Sequence, residues 1–298
     1  MSRPIVEMTS IAPTVSALLG LPAPSSCRGA PIAEIVAGGP AERVAIVAPD
    51  ALGEYAWGLW QSAMPFMQSL HARHSLTVRS VMPSITPVNF AAMVTGTDRA
   101  GHGIGTWRDA FACETLFDVV RRAGGRSAGV GMRGYTGGEL LAPRGDIPGR
   151  VEEHADDAVA DRVLAIARTE QPRFIIAQLG CVDDTFHALG PSSPDVVPML
   201  RGTDARYRRL ADGLLAAGYV MIVVSDHGQH DIPNPPPGGK RGTHGTDSDQ
   251  DCLVPCTWTR AGSGERGAGS GERGAGAASR MALRPAARRQ SSASAGRC

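Results

Sequence analysis

The chain has 298 residues, 42% of them hydrophobic and 20% charged, with a formal charge of +1. That length and composition suit one large α/β domain with a substantial buried core. Residues 261–298 hold seven Arg and two Glu, so the remainder sits near −4 and offers no basic surface for a nucleic-acid polymer.

From the N-terminus, residues 1–24 contain an apolar stretch, but Glu7 interrupts its approach and Pro13 falls within it, which argues against a signal peptide. Short apolar runs predict buried strands at 44–48, 76–81, 127–132, 173–179 and 219–224. Amphipathic patterns predict helices at 115–123, closed by Gly124-Gly125, and at 156–169 and 198–217. Strands alternating with such helices imply a mainly parallel sheet covered on both faces, with its site beyond the carboxyl ends of the strands. No 18-residue apolar run exists, so no membrane span is expected. The six Cys occur singly, without a C-x-x-C pair, which argues against a zinc-thiolate site and for a reducing, cytoplasmic compartment. Residues 262–275 repeat GSGERGA in tandem and lead into an Ala/Arg/Ser-rich end. That composition cannot bury enough apolar surface to fold, so 1–260 is read as the domain and 261–298 as a disordered tail.

Five motifs carry chemistry. VAIVAPD ends in Asp50, and PSITPVNFAAMVTG places Thr86 at the start of a helical pattern. IIAQLGCVDDTFHALGP holds Asp183 and His187 at a four-residue offset, VMIVVSDHGQ holds Asp226 and His227, and GTHGTD holds His244. Each alone reads as a helix cap, a turn or a solvated loop residue. Together, three Asp and three His at the mouth of one parallel sheet form a nitrogen and oxygen donor set suited to zinc. Asp184 is the neighbouring alternative to Asp183, which alone has the four-residue offset to His187. His102 is expected to be structural and His230 to face solvent, while His71, His74 and His154 are assigned nothing.

The order Asp, Thr, D-x-x-x-H, D-H-G, H-G resembles the alkaline phosphatase superfamily. The nearest branches are the type I phosphodiesterase/nucleotide pyrophosphatases and the phosphonoacetate hydrolases. Thr86, Asn89, Val94-Thr95-Gly96, His102-Gly103-Ile104 and His187-Ala188-Leu189-Gly190-Pro191 carry the resemblance, which spans residues 43 to 258. It implies a three-layer α/β/α sandwich and two divalent ions, zinc or alternatively manganese. Asp183, His187 and His244 would hold one ion; Asp50, Asp226, His227 and the Thr86 oxygen would hold the other. Thr86 is then the nucleophile that forms a covalent phospho-threonine, with Asn89 and the helix N-terminus stabilising phosphoryl charge.

Two features depart from that pattern. Residues 5–37 resemble a segment that family members carry after the last metal histidine, which suggests a circularly permuted order. The spacings from His102 to Asp156 and from Asp183 to Asp226 leave no room for a mutase cap, and SITPVN is not a sulfatase motif. The expected activity is hydrolysis of a phosphodiester or pyrophosphate bond in a small phosphorylated substrate, in a nucleotide by preference. A phosphomonoesterase or phosphonate hydrolase is the alternative, and a non-catalytic metal-binding protein is the second. The sequence does not address oligomeric state.

Overall fold

A computed structural model describes residues 4–259. The tail expected at 261–298 lies outside the described residues. The strands in chain order are β1 (Ile5–Glu7), β2 (Arg43–Pro49), β3 (Ser75–Arg79), β4 (Ser127–Met132), β5 (Arg150–Val151), β6 (Phe174–Leu179), β7 (Tyr219–Val224), β8 (His230–Asp231), β9 (Gly242–Thr243) and β10 (Leu253–Trp258). Eight of them form one sheet in the order β1-β3-β10-β7-β2-β6-β4-β5, and β8 pairs with β9 as a separate ribbon. All the pairings in the large sheet are parallel except those of β10, which runs antiparallel to β3 and β7.

The central strand β2 shows why the sheet has two covered faces. Successive side chains of a strand point to opposite sides. Val44, Ile46 and Ala48 enter one apolar core, and Ala45 and Val47 enter the other. The first core packs under the Ile11–Leu18, Thr86–Thr95 and Leu116–Arg122 helices. The second packs under Glu54–Trp60, Pro65–His71, Asp156–Thr169 and Val197–Ala216. With both faces buried, β2, β6 and β7 must be nearly continuous apolar runs, which is the pattern of parallel strands covered by helices. The fold is a helix–sheet–helix sandwich of mainly parallel strands.

Topology then positions the chemistry. The parallel strands β2, β6 and β7 end together, and Asp50, Asp183 and the Asp226-His227 pair follow their carboxyl ends. β10 runs the other way, so the loop entering it, which carries His244, arrives at the same edge. Among the described residues, no helix is long and apolar enough to cross a membrane.

Candidate active site

Asp50 sits directly after β2, where its N–H donates to the Leu179 carbonyl at 2.9 Å. The chain then turns through Ala51, which holds a left-handed φ of 66° and donates its N–H to Asp226 Oδ1 at 3.2 Å. A non-glycine residue in that conformation is strained, and such strain persists where surrounding structure holds it. Ser225 Oγ donates to the Pro49 carbonyl at 2.6 Å, fastening the ends of β2 and β7 to each other. The next residues, Asp226 and His227, are fully buried. Gly228 follows because nothing larger fits: a Cβ there would lie 2.1 Å from the Gln250 carbonyl oxygen.

The six acidic and histidine residues read from the sequence converge in two groups, Asp183-His187-His244 and Asp50-Asp226-His227. In each, one donor atom per residue lies within 4.8 Å of the others. His187 Nε2 is 3.4 Å from Asp183 Oδ2, and His244 Nε2 is 3.6 Å from Asp183 Oδ1. His227 Nε2 is 3.2 Å from Asp226 Oδ2 and 3.5 Å from Asp50 Oδ1. The groups adjoin, because the His227 and His244 rings stack at 4.0 Å. Asp184 is turned elsewhere and accepts a hydrogen bond from the Tyr135 hydroxyl.

Three hydrogen bonds fix how the histidines present themselves. His187 Nδ1 faces the Gly242 carbonyl at 2.8 Å, His227 Nδ1 faces that of Gly228 at 3.0 Å, and His244 Nδ1 faces that of Ser84 at 3.0 Å. A carbonyl only accepts, so each Nδ1 carries the proton and each Nε2 turns a lone pair inward. Asp226 Oδ2 is buried and has no hydrogen-bond partner among the described residues. Lone pairs of imidazole and carboxylate that meet without a proton between them repel unless a cation lies among them. That donor chemistry fits divalent ions.

Electrostatics agree with the geometry. Burial drives the Asp50 carboxyl well above its usual range, and the charges of Asp226 and Asp183 add to this. Burial raises Asp226 to about 7, with Asp183 contributing. Burial also lowers His227, and lowers His244 to about 4 with help from His227. The His227 and His244 imidazoles are therefore neutral near pH 7, the form that ligates metal.

Thr86 opens the Thr86–Thr95 helix, after an extended Ile85 and with Pro87 in its first turn. Its hydroxyl lies 3.0 Å from His227 Nε2 and 3.4 Å from Asp50 Oδ1. Pro87 has no N–H, and the other N–H groups of the first turn have no partner within the helix. Asn89 departs from its expected role as a charge stabiliser. It is fully buried, its Oδ1 accepts the Val81 N–H at 2.7 Å, and its Nδ2 donates to the Val81 and Ile85 carbonyls at 3.1 and 3.2 Å. With both ends of its amide occupied, it ties down the loop that delivers Thr86.

Several contributors went unread in the sequence. His230 does not simply face solvent: its Nδ1 is 2.7 Å from the buried carboxylate of Asp251, which also accepts from Thr246. Asp251 so joins the loop after His227 to the loop after His244. Gln178 and Gln229, both buried, donate to Asp50 and Asp183. The signal for Gln178 was a polar residue inside the otherwise apolar strand FIIAQL. His102 is structural, as expected, with Nδ1 accepting the Ile104 N–H at 3.0 Å.

This arrangement defines the chain, first, as an α/β protein with the alkaline phosphatase-like fold. More narrowly, a family described as type I phosphodiesterase / nucleotide pyrophosphatase matches residues 114–247, the stretch containing Asp183, His187, Asp226, His227 and His244, and the chain is similar to that family. Among solved structures, it resembles an inactive threonine-to-alanine variant of murine ectonucleotide pyrophosphatase/phosphodiesterase 5 in complex with AMP. The identity is 18% and the TM-score 0.54, over 65% of this chain and 59% of that one. The human counterpart is 19% identical with a TM-score of 0.53, over 64% and 58%. A phosphonoacetate hydrolase from Sinorhizobium meliloti 1021, in complex with phosphonoacetate, is 20% identical with a TM-score of 0.47, over 64% and 57%. The chain thus spans less than two thirds of the length of these proteins. No functionally curated protein matches it by sequence.

Proposed function

We propose that the chain hydrolyses a phosphodiester or pyrophosphate bond in a small phosphorylated substrate, a nucleotide in the first instance, through a covalent phospho-threonine at Thr86. The observation that carries this reading is the Thr86 hydroxyl at a helix N-terminus, 3.0 Å from His227 Nε2 and beside two Asp/His groups, one buried and one half-buried. The family match supports it, as does the AMP held by the murine relative whose threonine-to-alanine form is inactive.

Asp183, His187 and His244 would hold one divalent ion, and Asp50, Asp226, His227 and the Thr86 oxygen the other, with zinc favoured by the mixed nitrogen and oxygen donors and manganese as the alternative. When bound, such ions supply Lewis acidity to phosphoryl oxygens and lower the pKa of nearby hydroxyls and water. Thr86 Oγ1 attacks phosphorus, the bond to the leaving oxygen breaks, and the phosphoryl group passes to the threonine. Water then attacks that phosphorus, the bond to Oγ1 breaks, and the hydroxyl is restored. The first-turn N–H groups of the Thr86–Thr95 helix stabilise charge on the phosphoryl oxygens in both steps. Cytoplasmic placement belongs to this proposal and rests on the sequence alone.

The test compares zinc-loaded protein on bis-p-nitrophenyl phosphate and on p-nitrophenyl phosphate, with and without chelator. Chelator-sensitive preference for the diester is expected. Preference for the monoester would replace the proposal with a phosphatase, and chelator-insensitive turnover would remove the metals from it.

A further inference from the structure

Two buried glutamines stand behind the two Asp/His groups, one for each. Gln178 lies on β6 and is 1% exposed. Its Nε2 donates to Asp50 Oδ2 at 2.5 Å, while its Oε1 accepts the Gly137 N–H at 2.5 Å. Only an oxygen can accept that N–H, so the amide has one orientation and its NH2 must face the carboxylate. Gly137 begins a single π-helical turn, Gly137–Leu141, packed against β4. A Cβ on Gly137 would meet the Gln178 Cβ at 2.8 Å, so the close approach requires glycine.

Gln229, also 1% exposed, stands on the other side, its Oε1 buried without a hydrogen-bond partner among the described residues. Its Nε2 lies 2.5 Å from Asp183 Oδ1 and 3.3 Å from the Asp183 carbonyl oxygen. Both neighbours only accept, so this amide is oriented too. In each group one carboxylate oxygen is thereby engaged by a glutamine. The other, Asp50 Oδ1 or Asp183 Oδ2, is directed at His227 or His187 Nε2, while Asp183 Oδ1 also lies 3.6 Å from His244 Nε2.

We infer that Gln178 and Gln229 are positioning residues, each orienting one aspartate for metal: Gln178 holds Asp50 for the Asp50-Asp226-His227 group and Gln229 holds Asp183 for the Asp183-His187-His244 group. The inference rests on the two-ion reading above. A neutral donor suits the task, because it occupies a carboxylate oxygen without adding a positive charge that would compete with the ion. Partners of this kind orient metal ligands, and their loss commonly lowers metal affinity.

The experiment measures zinc affinity by competition with a chromophoric chelator in two backgrounds. His187→Ala leaves only the Asp50 group and His227→Ala leaves only the Asp183 group. Gln178→Met, close in size but without a donor, is expected to weaken zinc about 10–100-fold in the first background. In the second the loss should be smaller, since Gln178 touches Asp50 and Gly137 and no ligand of the other group. Gln229→Met should give the mirror result. Equal weakening in both backgrounds, as a merely structural role would produce, overturns the inference, and so does no weakening in either. Should a methionine variant fail to fold, Gln178→Leu or Gln229→Leu removes the donor without adding charge and is read by the same criteria. Zinc stoichiometry of the parent chain reads the underlying assignment separately: fewer than two ions overturns the two-ion reading, and the glutamine roles with it.

Discussion

In the proposed mechanism, Thr86 and the residues around it divide attack from metal holding. Its hydroxyl adjoins the Asp50 group, yet Asp50, Asp226 and His227 already supply three donors without it. Thr86→Ala should therefore keep two zinc ions by elemental analysis while kcat falls about a thousandfold or more, since the nucleophile is gone. Near-parental turnover would refute the nucleophile assignment. His102 makes a different prediction, about stability. Burial lowers its imidazole to about 4, against an unfolded value of about 6.5. The folded chain keeps the ring neutral while the unfolded chain takes up a proton. The contribution is thus complete above about pH 6.5 and is lost as pH falls toward 4, roughly 3 kcal/mol in all. Thermal melts between pH 7 and 4.5 should show a shallower acid slope for His102→Asn than for the parent chain; identical slopes would contradict the account.

At the scale of elements, the loop from 81 to 85 determines where Thr86 points, and Asn89 holds that loop. Asn89→Ala would leave the half-buried Val81 N–H without its partner, a cost of about 1 kcal/mol or more. The expected result is a lower melting temperature together with a lower kcat. An unchanged melting temperature with reduced kcat would return Asn89 to the role expected from its spacing. The spacing placed Asn89 one turn below Thr86, but the direction of its amide depends on a loop whose path no periodicity records. β4 and β7 were legible end to end, and the Asp156–Thr169 helix as well, because buried strands must be apolar runs and a two-sided helix must alternate at three and four residues. β1 was not legible: it has three residues at the sheet edge, with Ile5 56% exposed. Nor were the two-residue strands β8 and β9 or the π-helical turn at Gly137–Leu141, which are too short to have a period. The metal-binding candidates were legible because strand ends collect at one edge. Their glutamine supports were not, since nothing in spacing pairs residue 178 with 50 or 229 with 183.

For the whole molecule, the proposal concerns the order of the chain. The Ile11–Leu18 helix shares an apolar core with Val254, Cys256 and Trp258 of β10. β1 runs parallel to β3 and β10 antiparallel to it, so β10 ends at the edge of the sheet where β1 begins. Only β3 lies between them, a gap of about 10 Å at ordinary strand spacing. We propose that residues 5–37 fill the place of a segment that would otherwise follow β10. A chain rearranged to begin at residue 43, with residues 4–42 joined after Thr259 by a short Gly/Ser linker, should fold and bind zinc as the parent does. Loss of cooperative melting in that chain would contradict the permutation.

The central claim is that six side chains from separate strand ends hold two ions beside Thr86. Elemental analysis of zinc-loaded, gel-filtered protein tests it directly. The account predicts two zinc ions per parent chain, and one in each of the His187→Ala and His227→Ala variants. A parent chain with fewer than two, or variants that both retain two, would contradict it.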